Sequence, residues 1–428
     1  MSETEAISKR VAKFGGTSAA RPDVVMGHIA NGSAGGINVI SAAGSDEDKP
    51  RTTRMTEMLR RYQQTQDDEL FEDIILRLKE VGDRAGIDVD DYIDPLEDIR
   101  TWHWDSWPAL GEFWSAKIVA GGLQRIGHPA KFVDATELIR FGGDNVLDYE
   151  KTYRTAALQL GEFASSATII VPGFYGINDF GEKRLLPSGG SDLTGALLAH
   201  VIMADEYQNW SDVDGFRFAD PRLFPGARLN TSITYDEKRE LGNGGNGLLH
   251  AEVSRILSGK GISTRMMNTF GENNETTSVV DVRHDIAERP LVGATLRSMS
   301  ELCIAAVDNK VGTTDHVFVL LARAGVPYHH LTSAQDAVSI YIDRDREDDA
   351  LAAVGYRVQK TKTVEAVHVV GEGLRADDSR RVTAALELKL ADAGISDGGE
   401  VNMGSLPAKT FMVPPGQGKR AIESVMEL

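Results

Sequence analysis

The sequence predicts an α/β protein: a mostly parallel sheet sandwiched by helices, followed by two smaller α/β modules. Three observations lead there. From Val11 to about Asp285, short apolar runs alternate with longer amphipathic stretches, as in chains that wind strand and helix in turn. Beyond about Pro290 the texture changes, and a strand, helix and strand pattern occurs twice. The length of 428 residues exceeds one core of ordinary size, so two or three domains are expected. The expected partition is 1–285, with a helical insertion at about 57–115, then 286–362 and 363–428.

In chain order, the run ending at Lys13-Phe14 reads as a strand entering a glycine turn, Gly15-Gly16-Thr17-Ser18. Gly36 to Ser41 (GINVIS) and Ala167 to Gly173 (ATIIVPG) are buried-strand candidates, each ending in a glycine- or serine-containing turn. Between them, Leu59 to Gly82 and Phe113 to Ile126 carry helical spacing. Trp102, Trp104, Trp107 and Trp114 cluster there, as aromatic anchors of a helical subdomain or, alternatively, as a substrate lid. A second glycine loop, Gly189-Gly190-Ser191-Asp192, follows. In the first small module, Leu302 to Asp308 reads as a strand, Thr314 to Ala324 as a helix and Ala337 to Asp343 as a strand. The charged run Asp343 to Asp349 reads as a solvated turn. In the second module, Ala366 to Val370, Asp378 to Ala393 and Lys409 to Val413 repeat that order. A tandem of this kind suggests an appended regulatory or dimerising unit.

Composition narrows the function. A net charge of −18 argues against a nucleic-acid partner, because a phosphate backbone needs clustered Lys and Arg. Cys303 is the only cysteine, which excludes an internal disulfide framework and a multi-cysteine metal site. No apolar run approaches membrane-spanning length, and the start Met1-Ser2-Glu3-Thr4-Glu5 is acidic rather than signal-like. No membrane partner and a cytoplasmic location are therefore expected. His250, after Leu248-Leu249, reads as a packing histidine, and His329-His330 lacks the accompanying ligands of a zinc site.

The two glycine loops carry the chemistry. Lys13 supplies a point positive charge, and Gly15 and Gly16 let a phosphate approach backbone N–H groups with no Cβ in the way. Either loop alone would pass for a tight turn. Both together, at the carboxyl ends of strands in an α/β sheet, point to a nucleotide-phosphate site. The opening KFGGTS (Lys13 to Ser18), GGSDLT (Gly189 to Thr194), NWSDVDG (Asn209 to Gly215) with Asp220-Pro221-Arg222, and Gly111-Glu112 with Ser115 resemble motifs of the aspartate kinase family. They occur in order and at compatible spacings over nearly the whole chain, and VPGFYG (Val171 to Gly176) looks closest to a bacterial branch.

That resemblance implies the amino-acid kinase fold with two carboxyl-terminal ACT-like modules. It implies ATP-dependent phosphorylation of the aspartate side-chain carboxylate, with Mg²⁺ bridging the nucleotide phosphates and a homodimer as the assembly. Lys13 and Asp192 would be catalytic, with Asp192 orienting Lys13, joining the ion shell or simply capping its turn. Gly15, Gly16, Gly189, Gly190, Ser211, Asp212, Asp220 and Arg222 would bind ATP, with Trp210 to Asp214 on the adenine and ribose side. Asp220-Pro221-Arg222 also fits a β-turn closed by an ion pair. Thr17, Ser41, Thr56, Glu112, Ser188 and Ser191 would bind the amino-acid substrate, Glu112 through its ammonium. Thr332, Ser333 and Asp336 are candidates for an amino-acid effector, with ordinary turn chemistry as the alternative.

The sequence also departs from the family pattern. Ser188 stands where the family places an arginine that grips a substrate carboxylate. A serine offers neither charge nor a bidentate fork, and losing one member of a desolvated charge pair costs roughly 2–5 kcal/mol. Arg184 or Lys183 would have to reach across at least ~13 Å of chain to substitute; Arg54 is better placed. Otherwise the acceptor is another small carboxylate, or the chain is a non-catalytic amino-acid sensor. Gly245-Asn246-Gly247 replaces a lysine-bearing segment, and Pro407 falls where a regular strand is expected and would remove a ladder donor.

Overall fold

The computed structural model describes residues 9–44, 54–163, 167–187, 189–243, 251–271, 276–305, 313–333, 337–375, 379–395, 399–401 and 407–428. The chain forms two compact units, Met1–Phe216 with Asn230–Tyr235 and Leu249–Asp281, and Arg217–Leu229 with Asp236–Leu248 and Val282–Leu428. The division is not a single cut near 285, because two excursions from the amino-terminal sequence belong to the second unit.

The first unit is built on β1 (Arg10–Phe14), β2 (Ile37–Ile40), β3 (Ala130–Phe132), β4 (Thr168–Pro172), β5 (Tyr175–Ile177), β6 (Lys183–Leu185), β7 (Glu206–Ser211), β8 (Ser232–Thr234), β9 (Ser263–Asn268) and β10 (Thr277–Val280). Eight of these make one sheet in the order β3-β4-β2-β1-β7-β9-β10-β8; β5 and β6 form a separate hairpin. All neighbours in the large sheet run parallel except β9 and β10. Its strands read as continuous apolar runs because helices cover the sheet: β2 is buried at every position. Helices Leu110–Arg125 and Gly190–Ile202 pack against the central strands. The carboxyl ends of β4, β2, β1 and β7 thus lie side by side, where an open α/β sheet gathers its ligands.

The expected helical stretch from Leu59 to Gly82 is two helices, Met55–Thr65 and Asp68–Ala85. Gln66 breaks it in a left-handed conformation at φ 53°, and the Asp67 side chain then caps the second helix by accepting from Glu69 N–H. Three of the four clustered tryptophans are packing anchors, while Trp104 is exposed. Trp114, Trp102 and Trp107 are buried, and Trp114 Nε1 donates to Asp98 Oδ2 at 2.8 Å. Trp102 lies against Phe113 and Tyr175, with ring centroids 5.2 and 5.1 Å away.

The second unit carries β11 (Gly293–Ala305), β12 (Tyr328–Ser333), β13 (Ala337–Asp343), β14 (Val358–Val370), β15 (Gly399–Val401) and β16 (Ala408–Val413). They form a single antiparallel sheet, β12-β13-β11-β14-β16-β15. The repeat is fuller than the expected strand, helix and strand. Each half runs strand, helix, strand, strand, helix, with helices Thr313–Arg323 and Glu347–Val354 in one and Ser379–Asp392 and Gly418–Val425 in the other. The long β11 and β14 pair from Gly293↔Val370 to Ile304↔Val358 and weld the two halves together. Two expectations fail here. Asp343 to Asp349 is not a turn: Glu347, Asp348 and Asp349 open a helix, where the helix dipole favours negative charge. Pro407 costs no ladder bond, because β16 starts one residue later and the Pro407 carbonyl accepts from Gly371 N–H at 2.8 Å. Among the described residues, no helix is long and apolar enough to cross a membrane.

Arg283 and Glu237 form a fully buried ion pair within this unit, 2.6 Å apart. The guanidinium also reaches Asp285 Oδ1 at 2.9 Å and the Arg289 carbonyl at 2.6 Å, while Glu237 accepts from Glu372 N–H. Removing one partner of such a pair strands the other charge. Arg283→Ala is expected to cost about 3–5 kcal/mol, read in scanning calorimetry as a lower transition temperature. An unshifted transition would show the pair to be idle.

Candidate active site

Lys13 sits at the carboxyl end of β1, and its Nζ lies 3.1 Å from each carboxylate oxygen of Asp192. Asp192 occupies the first turn of helix Gly190–Ile202 and also accepts from Asn209 Nδ2 at 2.9 Å and from the Tyr207 hydroxyl at 3.4 Å. Burial, then the neighbouring Asp192 carboxylate, push the Tyr207 phenol well above its ordinary range, so it stays a neutral donor. Lys13 pairs with Asn209 across the β1–β7 ladder, and alternation along β7 turns residues 207 and 209 to one face. Neither Tyr207 nor Asn209 was singled out as an Asp192 partner; strand alternation beside Lys13 was the available signal.

Backbone packing sets the glycines. A Cβ on Gly44 would come within 2.7 Å of the Gly16 carbonyl carbon, and Gly44 N–H donates to the Gly16 carbonyl at 2.7 Å. The turns after β1 and β2 therefore close on each other main chain to main chain. Gly189 adopts φ 81° at the N-cap, and a Cβ on Gly190 would strike Phe174 and Leu186. Phe174 is itself left-handed at φ 77°, with its N–H on Thr194 Oγ1 and its carbonyl accepting from Leu186 N–H. A non-glycine residue held there marks local strain of about 1–2 kcal/mol.

These loops border a cavity of about 680 Å³. It brings together Lys13, Gly16, Thr17, Ser41, Thr56, Glu112, Gly189, Gly190, Ser191 and Asp192, all expected from the sequence. Arg54, Glu57 and Arg60, from the start of helix Met55–Thr65, complete one wall. Glu57 and Arg60 were missed, although helical spacing places Arg60 one turn beyond Thr56.

Glu112 lies in the first turn of helix Leu110–Arg125 and is 6% exposed. Gly111 lets that turn approach the β2 loop, since a Cβ there would meet Ala42 Cβ at 2.8 Å and Met55 Cγ at 3.0 Å. Burial pushes the Glu112 carboxyl up to about 8, against N–H donors from its own turn and Ala42 and the Arg60 charge, which draw it down. Its Oε2 has no hydrogen-bond partner among the described residues. A buried carboxylate with an open oxygen fits a cationic guest. The loop beneath is fixed by Ala43 N–H on Ser115 Oγ at 3.0 Å and by Arg77 Nη2 on the Gly44 carbonyl at 2.9 Å.

Other expected residues lie elsewhere. Gly15 does not line the cavity, and its N–H is spent on the Trp210 carbonyl at 2.9 Å, continuing the ladder. Ser211 and Asp212 are absent from the lining, and Trp210 is buried against Phe14 and His28 instead of offering a face to a base. Asp220 and Arg222 belong to the second unit, where an 87% exposed Arg222 closes a turn on Asp220 at 2.6 Å. That matches the β-turn alternative. Lys183 lies over the Trp102 ring and Arg184 pairs with Glu182, so neither enters the cavity. Thr332 lies in β12, opposite Ser339 of β13. Ser188, Gly245-Asn246-Gly247, His250, Asp336 and the Ser333 side chain lie outside the described residues.

A sequence model described as the amino acid kinase family matches residues 8–268. The chain belongs to that family. This amino acid kinase is 26% identical to aspartokinase 3 of Bacillus subtilis (strain 168) over 457 aligned positions, covering 98% of both chains. Its fold is similar to the crystal structure of Clostridium acetobutylicum aspartate kinase, with TM-score 0.83, 24% identity and coverage of 98% and 99%. It is also similar to E. coli aspartokinase III in complex with lysine and aspartate, with TM-score 0.77, 20% identity and the same coverage.

Glu112 makes the cavity pH-sensitive. Its folded value of about 8 lies above the ordinary 4.5. Between the two the folded state holds the extra proton, so ligand-free stability falls as pH rises through that window and levels off above it. Glu112→Gln is expected to flatten this slope and to be the more stable protein above about pH 8, in denaturation midpoints taken across the window. A slope unchanged by the substitution would contradict a buried carboxyl that keeps its proton up to about pH 8.

Proposed function

We propose that this chain is an aspartate kinase, transferring the γ-phosphoryl group of ATP to the side-chain carboxylate of L-aspartate. One observation carries the reading: a buried carboxyl group with an open oxygen shares a cavity with a lysine–aspartate pair and four glycines, Gly16, Gly44, Gly189 and Gly190. Full-length similarity to an aspartokinase supports it.

The acceptor carboxylate is already an anion, so it can attack phosphorus without a general base. The P–O bond to the leaving ADP breaks as the new acyl-phosphate bond forms. The protein's task is to bring two anions together and offset their repulsion. Lys13, aimed by Asp192, faces the transferring phosphoryl group, and the amides of Gly16, Gly189 and Gly190 are placed to donate around it. Glu112 receives the substrate ammonium, and Thr17, Ser41, Thr56 and Ser191 offer hydroxyls to its carboxylates. Asp192 is the acidic residue at this end of the cavity, and Mg²⁺ bound mainly by the nucleotide phosphates would neutralise charge there.

The second unit is read as a pair of ACT-like modules that bind an amino-acid effector and assemble a homodimer in the cytoplasm. Light scattering with and without added lysine tests the assembly.

Hydroxylamine trapping with ATP, Mg²⁺ and a panel of amino acids tests the activity. Aspartyl hydroxamate is expected, and Lys13→Ala should lower kcat by about 10²–10³-fold. Product from a different acid and none from aspartate would reassign the substrate. Nucleotide binding without any trapped product would mark a sensor.

A further inference from the structure

Charge around Glu112 suggests how this chain replaces a missing cation. An α-amino acid presents an ammonium and a carboxylate about one residue's width apart, and its complement is a carboxylate beside a guanidinium. Glu112 and Arg60 line the same cavity, and the Arg60 charge opposes, as the smallest contribution, the upward push of burial on the Glu112 carboxyl. Yet no ion pair or hydrogen bond joins them, and none occupies Arg60 among the described residues. The other nearby basic groups are engaged: Lys13 with Asp192, Arg77 with Gly44 and Glu80, Arg184 with Glu182, and Lys183 over Trp102. Arg54 shares the wall from the helix N-cap, six residues before Arg60.

We propose that Arg60 is a specificity-determining residue: its guanidinium binds the α-carboxylate of the amino-acid substrate while Glu112 binds the ammonium. This rests on the aspartate kinase reading and names a residue that the family's usual arginine position does not supply, since the sequence carries Ser188 there. The arrangement selects a free α-amino acid. Glu112 repels a second anion at its own position, and Arg60 accepts one beside it. The reactive side-chain carboxylate is thereby directed toward Lys13 and the glycine loops at the other end. Arg60 touches substrate but not the transferring phosphorus, so its removal should act on acceptor binding and leave nucleotide binding alone.

The test crosses two proteins with two ligands. Wild type and Arg60→Gln are each titrated calorimetrically with L-aspartate and with L-aspartic acid α-amide, which keeps the ammonium and side-chain carboxylate but lacks the α-carboxylate. Wild type should bind aspartate about 30-fold more tightly than the amide. Arg60→Gln should lose that preference through weaker aspartate binding, with amide affinity changed less than about 3-fold. Arg60→Lys should keep part of it, a point charge replacing a fork. In turnover, the loss should appear in KM for aspartate, with KM for ATP unchanged. Equal losses for both ligands, or a preference that survives Arg60→Gln and disappears in Arg54→Gln, would overturn the assignment. Calorimetry reads Arg60 independently of catalysis: binding with the expected preference but no hydroxamate would overturn the kinase reading and keep this one. No aspartate binding at all would overturn both.

Discussion

Lys13 and Asp192 meet at the carboxyl end of β1, on the cavity lining, and much of the site depends on that contact. Lys13 belongs to a strand near the chain's start and Asp192 to a helix far downstream, so the pair ties the first glycine loop to the second. A lysine this sheltered needs a partner, and a carboxylate this sheltered needs donors. Asn209 and Tyr207 on the adjoining strand supply them. The network leaves the ammonium fixed in position at the mouth of two turns that have little side chain to obstruct an anion. Preorganisation of this kind lets charge be stabilised without rearrangement at the moment of reaction.

The acceptor end is built by different means. There the backbones of the β1 and β2 turns close on each other through Gly16 and Gly44, Gly111 admits the start of a helix, and Arg77 holds the Gly44 carbonyl from behind. The result is a carboxylate buried without a full set of partners. Such a group destabilises the empty protein and is relieved by a cationic guest, so the stability of the fold and the affinity for ligand are set against each other at one residue. The strained Phe174 on the same cavity wall belongs to the same pattern.

The second unit shows how a repeat becomes a single body. Each half alone would leave a long strand edge exposed, and pairing β11 with β14 along most of their lengths removes both edges. The helices then enclose separate apolar clusters, one about Val367 and Leu386 and the other about Leu302 and Leu321.

By itself the sequence determined the alternation of strand and helix, the two glycine loops, the Gly111-Glu112 step and the tandem after Pro290, because each is written in local pattern and residue type. It overextended one helix across Gln66, since propensity does not register a single left-handed residue, and it read the acidic start of a helix as a turn. Tertiary structure alone decided that the Gly15 amide is spent on the Trp210 carbonyl, that Trp210 is core, and that Arg60 joins the cavity wall; for Arg222 it chose between two readings the sequence already offered. The reason is physical. A residue's type fixes which interactions it can make, but strand register and helix placement decide which partners come within a few ångströms. For the Gly15 amide and for Trp210 the partners lie on other elements, where no local pattern could locate them.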